Sequence, residues 1–272
     1  MPEKPEVVTV ARTLQPKLVG RSITDCSVYW DNIIAFPTTD EFKKRVIGQK
    51  IEKITTRGKW LVVELNQDIL LIHLRMEGKF FFREEGTEKG KHEHVFFTLD
   101  NVTSFRFHDV RKFGKMYLLS KEDVLNKKPL CELGVEYDDL LLTKEYLYQK
   151  LQQKKIPIKT ALLDQSIIAG IGNIYDDEIL FLSHISPLRS SSKVTKKECQ
   201  SIIDNTKMVL DEAIQMGGTT IKSFTSSEGV HGLFQNKLSI HGKKGSCPTC
   251  GEEIQKIKVG GRGTYYCSHC QK

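Results

Sequence analysis

The sequence predicts an α+β protein that begins with a β-sandwich or barrel, continues with helices and ends in a small metal-binding unit. Between Ser22 and Leu119, short runs of β-branched and aromatic residues alternate with turns, as expected for many short strands. Beyond about residue 144, the apolar residues recur with helical spacing. Two C-x-x-C pairs lie close to the carboxyl end, and this spacing is typical of a zinc ribbon.

Length and composition fit a globular protein of about two domains. The chain has 272 residues, of which 39% are hydrophobic and 28% are charged, an ordinary globular balance. Apolar runs such as 69–72 are far shorter than the roughly 18 residues of a membrane span. The amino terminus contains acidic residues and lacks the apolar core of a signal peptide. We therefore expect a cytoplasmic, bacterial-type protein with no membrane partner.

The charge distribution favours a polyanionic partner. The net charge is +7, and the basic residues dominate on either side of a short acidic stretch, residues 134–148. A nucleic acid held between two basic halves explains this pattern. A solvated surface with no such partner is the alternative interpretation.

The amino-terminal region, residues 1–133, is predicted to open with a helix and then to form short strands. Apolar residues recur with helical spacing over 5–15, and a weaker helix covers 38–46. Asp100-Asn101 marks a hairpin turn. The predicted strands are 51–56, 60–64, 69–74, 79–83, 95–99, 103–107 and 115–119.

Residues 134–148 are predicted to connect this region to a helical domain over 149–228, which a metal-binding unit over 229–272 follows. Gly170–Asn173 forms a loop between two predicted helices, and successive backbone N–H groups at such a helix start suit a phosphate. A plain helix–helix turn is the alternative. The predicted helices are 144–153, 157–165, 172–182, 195–216 and 219–224.

The first six residues of the chain combine a potential nucleophile with two carboxylates. Removal of Met1, which is favoured before a small residue, leaves Pro2 as a terminal secondary amine close to Glu3 and Glu6. A terminal amine titrates at about 7.7–8.0, so part of it is neutral at physiological pH. A neutral amine attacks electrophilic carbon and forms a Schiff base. The alternative is a structural proline in the first turn of a helix.

Cys247, Cys250, Cys267 and Cys270 are predicted to bind one structural zinc ion. Four thiolates complete a tetrahedral site and leave no open position for a substrate. Zinc binding then supplies much of the folding free energy of a tail with little core. The other cysteines are expected to be buried as small apolar groups, and they are Cys26, Cys131 and Cys199.

Four further segments carry the mixture of cations, apolar residues and glycines that suits DNA binding. The glycine-rich stretch 258–266 predicts a tight hairpin with Arg262 at its tip, where it would clamp a phosphate. The segments 56–60, 73–78 and 109–114 suit phosphate neutralisation and insertion of apolar groups into a base stack. Taken singly, residues such as Met76 and Phe113 are more often part of a core.

Together these motifs closely resemble formamidopyrimidine-DNA glycosylases, the bacterial repair enzymes for oxidised purines. The resemblance extends from Met1 to Lys272, and the motifs occur in the family's order. It implies a two-sheet β-sandwich, a helix–two-turn–helix domain and a zinc finger. The motifs are Pro-Glu-x-Pro-Glu, Arg-Gly-Lys, His-Leu-Arg-Met-Glu-Gly, Val-Arg-Lys-Phe-Gly, Gly-Ile-Gly-Asn-Ile-Tyr, Gly-Gly-Arg-Gly-Thr and the four-cysteine ribbon.

The resemblance implies a bifunctional DNA glycosylase and abasic-site lyase of base excision repair. Such an enzyme flips 8-oxoguanine or a formamidopyrimidine out of the duplex. Pro2 would attack C1′ and form a Schiff base, Glu3 would transfer protons, and Glu6 would organise the pocket. Lys59 and Arg262 would complete the catalytic group, and β- and δ-elimination would cut the strand.

The same resemblance implies the DNA contacts. Met76, Arg111 and Phe113 would fill the space left by the flipped nucleotide, with Arg111 facing the orphaned base. The expected partner is double-stranded DNA containing oxidised purines or abasic sites, bound by a monomer, and residues from Gly217 to about Gly232 would cover the extruded base. The other implied contacts are phosphate contacts by Lys59, His73, Asn173 and Arg262 and a contact near the lesion by Lys159.

Three positions depart from the family pattern without removing a catalytic group. Lys4 replaces a leucine, Val8 replaces a glutamate, and Gly134–Tyr137 replaces a Gly-Pro-Glu-Pro connector. We hypothesise that the positive charge of Lys4 lowers the pKa of the Pro2 amine, or else that Lys4 contacts DNA.

Three other functions remain as alternatives at this point. An endonuclease VIII-type glycosylase would favour oxidised pyrimidines, although Met76, Arg111 and Phe113 favour the oxidised-purine branch. A damaged-DNA-binding protein without catalysis would cut no strand. A zinc-ribbon protein-interaction module would show no salt-dependent DNA binding.

Overall fold

The computed structural model describes residues 1–219 and 232–272, which form two compact units. The first unit comprises Met1–Cys131 and Gly217–Gly232, and the second comprises Glu132–Met216 and Leu233–Lys272. Residues 220–224 of the predicted helix 219–224 and the predicted boundary at residue 228 lie outside the described residues. Within the described ranges, no helix is both long enough and apolar enough to cross a membrane.

Nine strands of the first unit form two sheets. One sheet has the strand order β1-β7-β8-β6, and the other has the order β2-β9-β5-β4-β3. Neighbouring strands are antiparallel except for β2 and β9. The strands are β1 (Ile23–Val28), β2 (Ile34–Phe36), β3 (Ile51–Arg57), β4 (Trp60–Leu65), β5 (Asp68–His73), β6 (Lys79–Glu84), β7 (Glu93–Leu99), β8 (Thr103–His108) and β9 (Lys115–Ser120).

The two sheets share one hydrophobic core, which confirms the predicted sandwich. Phe97 and Phe107 of the four-stranded sheet belong to the same buried cluster as Leu61 and Leu118 of the five-stranded sheet. Two helices, α1 (Lys4–Leu18) and α2 (Thr39–Val46), add side chains such as Leu14 to this cluster. The seven predicted strands are present within two residues of their predicted ends.

Helix α1 continues three residues beyond its predicted end. It passes through Pro16 and ends at Leu18, whose side chain is fully buried. Burial of a leucine stabilises by about 1.5–3 kcal/mol, which offsets much of the cost of a proline inside a helix. Strands β1 and β2 were not predicted, because β1 buries only Ile23 and Cys26 and shows no alternation of apolar and polar residues.

The second unit is mainly helical and carries two short β-pairs. Strands β10 (Val135–Glu136) and β11 (Ile168–Ala169) pair in parallel, whereas β12 (Gln255–Val259) and β13 (Arg262–Tyr266) form a hairpin. Four predicted helices are present, although the one predicted over 157–165 is shorter. The helices are α3 (Lys144–Gln152), α4 (Ile158–Leu162), α5 (Asn173–Leu182) and α6 (Lys196–Gln215).

The expectation that all three scattered cysteines are buried is wrong for Cys131. Cys26 and Cys199 are buried, and burial raises the pKa of the Cys26 thiol to about 12 and that of Cys199 to about 11. Cys131 is exposed, because the short helical turn that contains it buries Leu130 instead.

Candidate active site and DNA-binding surfaces

The amino terminus of the first unit is folded into the protein rather than frayed. Pro2 is buried, and Glu3 and Glu6 are only 3% and 4% exposed. Glu6 Oε2 accepts the backbone N–H of Glu3 at 2.8 Å, which fixes the start of α1. Glu6 Oε1 accepts the N–H of Thr219 at 2.7 Å. The potential nucleophile therefore lies beside two buried carboxylates.

Lys4, which departs from the family pattern, belongs to the same buried group. Its side chain is only 7% exposed, and Nζ donates a hydrogen bond to Thr56 Oγ1 at 3.0 Å. Thr56 lies near the end of β3, next to the turn that carries Lys59. An additional cation thus lies two residues from Pro2, inside the protein.

Strand pairing brings Lys59 and His73 to one end of the five-stranded sheet. Lys59 lies in the turn between β3 and β4, and Trp60 at the start of β4 is paired with His73 at the end of β5. His73 is paired in turn with Lys115 at the start of β9. Lys59 and His73, both predicted to contact phosphate, are 5% and 8% exposed.

The His73 imidazole is held in one tautomer. Its Nδ1 accepts the backbone N–H of Arg75 at 2.9 Å, so the ring proton lies on Nε2. Burial lowers the pKa of His73 to about 3, and the charges of Arg75 and Lys59 add to this effect. The ring packs edge-on against Trp60, with 4.8 Å between ring centroids. His73 is therefore a neutral donor at physiological pH.

Two loops that carry the predicted gap-filling residues cross between the sheets side by side. Residues 74–78 connect β5 to β6, and residues 109–114 connect β8 to β9. Because β5 pairs with β9 and β6 pairs with β8, both loops lie at the same end of the sandwich. The structure thus brings the Met76 loop and the Arg111–Phe113 loop together.

Both loops rest on the ring of Phe107. A Cβ atom added to Gly78 would lie 2.8 Å from Phe107 Cζ, and one added to Gly114 would lie 2.5 Å from the same atom. Real Cβ atoms do not approach this closely, so both positions require glycine. Phe107 is fully buried and forms a common floor under the two loops.

The gap-filling residues are at the surface. Phe113 is 49% exposed, Arg111 is exposed and Met76 is partly exposed. The Arg111 guanidinium lies 4.7 Å from the centroid of the Phe113 ring, within the range of a cation–π contact. The alternative interpretation of Met76 and Phe113 as core residues is therefore wrong.

In the second unit, Asn173 and the Arg262 hairpin are in direct contact. Asn173, the first residue of α5, donates a hydrogen bond from Nδ2 to the carbonyl oxygen of Gly263 at 2.9 Å. The turn of the hairpin consists of Gly260 and Gly261, both with positive φ, as in a two-residue hairpin loop. Arg262 is exposed and follows this turn directly rather than occupying its apex.

Lys159, for which the resemblance implies a contact near the lesion, does not reach the surface. It is fully buried, and Nζ donates to Asp177 Oδ1 at 2.6 Å and to the carbonyl oxygen of Asn173 at 3.1 Å. Asp176 lies 3.6 Å from the same ammonium. Burial of a lysine requires such partners. Lys159 therefore stabilises the backbone of Asn173 from the protein interior.

Two acidic residues of α5 that sequence reasoning missed hold the hairpin and the preceding loop. Asp177 Oδ2 lies 2.6 Å from His241 Nδ1 and accepts the N–H of Tyr265 at 3.2 Å. Glu178 accepts the backbone N–H groups of residues 239–241. The signal was present as three consecutive acids within an apolar helix, a pattern that predicts buried carboxylates with specific partners.

The four predicted cysteine ligands converge as a zinc site requires. Their sulfur atoms all lie within 4.8 Å of one another. The Cys247–Cys270 and Cys250–Cys267 sulfur separations are 3.9 and 3.5 Å, close to the roughly 3.8 Å expected around tetrahedral zinc with 2.3 Å bonds. The prediction of one structural zinc ion is confirmed. The buried cluster around these cysteines also includes Phe181 of α5.

Comparison with protein families agrees with this architecture. Residues 1–116 match the formamidopyrimidine-DNA glycosylase N-terminal domain, and residues 133–225 match the formamidopyrimidine-DNA glycosylase H2TH domain. Residues 246–272 match a zinc finger found in FPG and IleRS. Together these three models span most of the chain.

Curated relatives align along their whole length. The formamidopyrimidine-DNA glycosylase of Bacillus anthracis is 44% identical over 273 residues, covering 100% of this chain and 99% of the relative. The Listeria innocua protein of the same name is 41% identical, and the alignment covers 100% of both chains.

Solved structures of a known protein also match the whole chain, and together with the sequence comparisons they establish its family. The chain matches wild-type Lactococcus lactis Fpg in complex with DNA containing N7-benzyl-Fapy-dG, with a TM-score of 0.92, 35% identity and 100% coverage of both chains. A complex of Lactococcus lactis Fpg with DNA containing an abasic site matches with a TM-score of 0.91, 35% identity and 99% coverage of both chains. The chain belongs to the formamidopyrimidine-DNA glycosylase family.

Proposed function

We propose that this chain is a bifunctional DNA glycosylase and abasic-site lyase of base excision repair that acts on oxidised purines in duplex DNA. The observation that carries the proposal is the buried group Pro2, Glu3 and Glu6, which lies in the unit that also presents Met76, Arg111 and Phe113. The full-length relatives bear the corresponding enzyme name.

The reaction begins with the Pro2 nitrogen, once Met1 has been removed. The neutral amine attacks C1′ of the damaged nucleotide, so an N–C1′ bond forms, the bond to the base breaks, and the base leaves with the proton that the amine gives up. Glu3 protonates the sugar ring oxygen, and the ring opens to an iminium. General acid catalysis of this kind contributes about 10²–10⁴-fold. β-Elimination and then δ-elimination release the two phosphate ends of the strand.

Each unit supplies its own DNA contacts. In the first unit, Lys59 and His73 bind phosphates, and Met76, Arg111 and Phe113 fill the gap that base flipping leaves. In the second unit, Asn173 and Arg262 bind phosphate together, supported by Lys159. Zinc, when bound by the four cysteines, stabilises the tail that carries the Arg262 hairpin.

Two observations support the proposed substrate class, namely the name of the relatives and the gap-filling residues Met76, Arg111 and Phe113. Formamidopyrimidines and 8-oxoguanine are the proposed bases, and abasic sites are proposed as lyase substrates. We place the enzyme in the cytoplasm, where bacterial DNA lies, and expect it to act as a monomer. An oxidised-pyrimidine preference, as in endonuclease VIII-type enzymes, remains an outcome of the test below.

Borohydride trapping tests this function directly. Intact-mass analysis first selects protein without Met1, which is then mixed with an 8-oxoguanine duplex, a thymine glycol duplex and an undamaged duplex in the presence of borohydride. We expect a covalent adduct with the 8-oxoguanine duplex, whose peptide map locates the bond at Pro2. The variant Pro2→Gly should excise and nick far more slowly.

The controls separate the alternatives. Binding to damaged DNA without any adduct or nick contradicts catalysis, and faster processing of thymine glycol than of 8-oxoguanine contradicts the proposed substrate. Full-speed excision by processed, zinc-loaded Pro2→Gly contradicts the proposed nucleophile.

A further inference from the structure

Asp109 is a fully buried carboxylate directly before the residues proposed to fill the gap in the duplex. Its Oδ1 accepts the backbone N–H of Arg111 at 3.0 Å. Its Oδ2 accepts the N–H of Phe113 and the N–H of Gly114, each at 2.8 Å. One side chain therefore binds three backbone donors of a six-residue loop, and hydrogen bonds to a charged acceptor are the stronger kind.

The four side chains between Asp109 and Gly114 contribute little buried apolar surface beside these bonds. The side chains of residues 110–113 are all exposed. Lys112 has a φ of +56°, a left-handed conformation that costs a residue with a Cβ about 1–2 kcal/mol. Lys112 also donates its N–H to the backbone carbonyl oxygen of Asp109 at 3.3 Å, and its ammonium lies 3.8 Å from the centroid of the Trp30 ring. The Asp109 carboxylate adds the three bonds that fix the backbone of Arg111, Phe113 and Gly114.

Asp109 is itself anchored to strand β7 and to the residue that precedes it. Its N–H donates to the carbonyl oxygen of His92 at 2.9 Å, and its own carbonyl oxygen lies 3.0 Å from His94 Nε2. Because a carbonyl oxygen only accepts, His94 donates in this bond. His94 is 4% exposed, so the anchor is part of the protein interior.

The position of this loop also bears on the Met76 loop. Gly114, whose N–H Asp109 accepts, packs on Phe107, as does Gly78 of the other loop. A displacement of Gly114 would therefore disturb the ring on which both loops rest. The carboxylate is placed to control Arg111 and Phe113 directly and Met76 through Phe107.

We propose that Asp109 is a positioning residue that sets discrimination of the base opposite the lesion. The inference rests on the proposed function, because it assumes that Arg111 faces the orphaned base. Asp109 is fully buried, so its carboxylate is not presented to a bound duplex. It acts by fixing the backbone from which Arg111 and Phe113 extend.

The test compares wild type, Asp109→Asn and the matched control Asp25→Asn, which makes the same change at an exposed position of β1. Asparagine preserves the shape, but its amide nitrogen turns one acceptor into a donor that faces a backbone N–H. The first measurement is the ratio of kcat/KM for 8-oxoguanine opposite cytosine to that opposite adenine. The second is borohydride trapping on a single-stranded abasic oligonucleotide, which has no opposite base.

In Asp109→Asn, we expect the ratio of kcat/KM opposite cytosine to that opposite adenine to fall about tenfold. This is the size of effect that the loss of one charge-assisted hydrogen bond produces. Trapping on single-stranded abasic DNA should stay within about twofold of wild type, since this reaction offers the loop no opposite base to contact. The Asp25→Asn control should match wild type in both assays. A purely structural role would lower both activities together and would contradict the inference.

Failure of the inference and failure of the proposed function give different results. Wild-type protein that traps no abasic DNA overturns both. Wild-type protein that discriminates between opposite bases, with an Asp109→Asn variant that discriminates equally, overturns the inference alone.

A second measurement uses the wild-type chain and does not depend on the variant's folding. Amide hydrogen exchange by NMR should show the N–H groups of Arg111, Phe113 and Gly114 protected at least about a hundredfold, in spite of their exposed loop. The N–H of Val110 in the same loop is the internal comparison. Equal, fast exchange at all four positions would overturn the inference.

Discussion

Glu6 Oε1 accepts the backbone N–H of Thr219 at 2.7 Å, a contact between residues 213 positions apart in the chain. Its other oxygen accepts the N–H of Glu3, so one buried carboxylate joins the neighbour of the proposed nucleophile to the start of segment 217–232. Gly218 makes the contact possible, because a Cβ atom there would lie 2.6 Å from Glu6 Oε1. Glu6 thus links the amino terminus to the segment proposed to cover the extruded base.

The substitution Glu6→Gln should slow base excision by about 10–100-fold. The amide retains one acceptor, so one of the two backbone N–H groups loses its partner, and an unsatisfied buried donor costs about 1–3 kcal/mol. Single-turnover excision of 8-oxoguanine measures the effect. Glu122→Gln, at an exposed position, is the matched control, and equal rates for the two variants would contradict this role of Glu6.

Replacement of Lys4 should shift the pH dependence of Schiff-base formation. Lys4 is buried close to Pro2, and a nearby cation favours the neutral form of an amine. In Lys4→Met, the pH at which abasic-site trapping reaches half its maximum should rise by about 0.5–1 unit. Lys4→Arg keeps the charge and should show the wild-type profile. Identical profiles for wild type and Lys4→Met would remove the electrostatic hypothesis.

His73 should make the folded state less stable in mild acid. Folding lowers the pKa of His73 to about 3, so between pH 3 and about 6.5 the unfolded chain binds a proton that the folded chain does not. Above about pH 6.5 the ring is neutral in both states and the folded state has its full stability. As the pH falls below that value, protonation favours the unfolded chain and the free energy of unfolding decreases. From pH 7 to pH 5, wild type should lose about 2 kcal/mol more unfolding free energy than His73→Gln.

Urea unfolding at both pH values measures this difference. His184→Asn is the control, since His184 is exposed with a φ of +57°, a conformation that asparagine tolerates. Parallel pH dependence in wild type and His73→Gln would show that His73 is protonated in the folded state.

Loss of zinc should unfold the carboxyl-terminal tail and weaken DNA binding. Structural zinc supplies about 10–16 kcal/mol of apparent binding free energy in zinc-finger peptides, and here its ligands pack against Phe181 of α5. Elemental analysis should find one zinc per wild-type chain and none in Cys267→Ser. Cys131→Ser, which alters an exposed cysteine outside the cluster, should retain both metal and DNA affinity. Full affinity in metal-free protein would contradict the role of the tail.

Arg262→Ala should reduce the salt dependence of DNA binding by one phosphate contact. Each contact contributes about 0.9 to the slope of log K against log salt concentration, and the exposed Arg262 lies next to Asn173 through Gly263. Fluorescence anisotropy between 50 and 200 mM salt, about the range in which such slopes are read, gives the value. Lys256→Ala changes an exposed cation farther along the hairpin and should leave the slope unchanged.

Local spacing was sufficient to predict much of the chain. The two C-x-x-C pairs predicted the zinc site because four thiolates at that spacing converge on one ion. The strand predictions succeeded where β-branched and aromatic residues are dense, and they missed β1 and β2. In β1, the consecutive residues Thr24 and Asp25 are both exposed, which breaks the alternation expected of a strand. The motifs around Pro2, Met76, Phe113 and Arg262 also identified the family.

Tertiary packing decided which of these side chains are available and what holds them. Lys159 is buried on Asp177, Cys131 is exposed, and Phe107 lies under two loops at once. Sequence alone determined the elements and their chemistry, because helix, strand and metal-ligand patterns depend on near neighbours in the chain. Contacts such as those of Glu6 with Thr219 or Asp109 with His94 depend on how distant segments pack, and only the folded structure brings those atoms together.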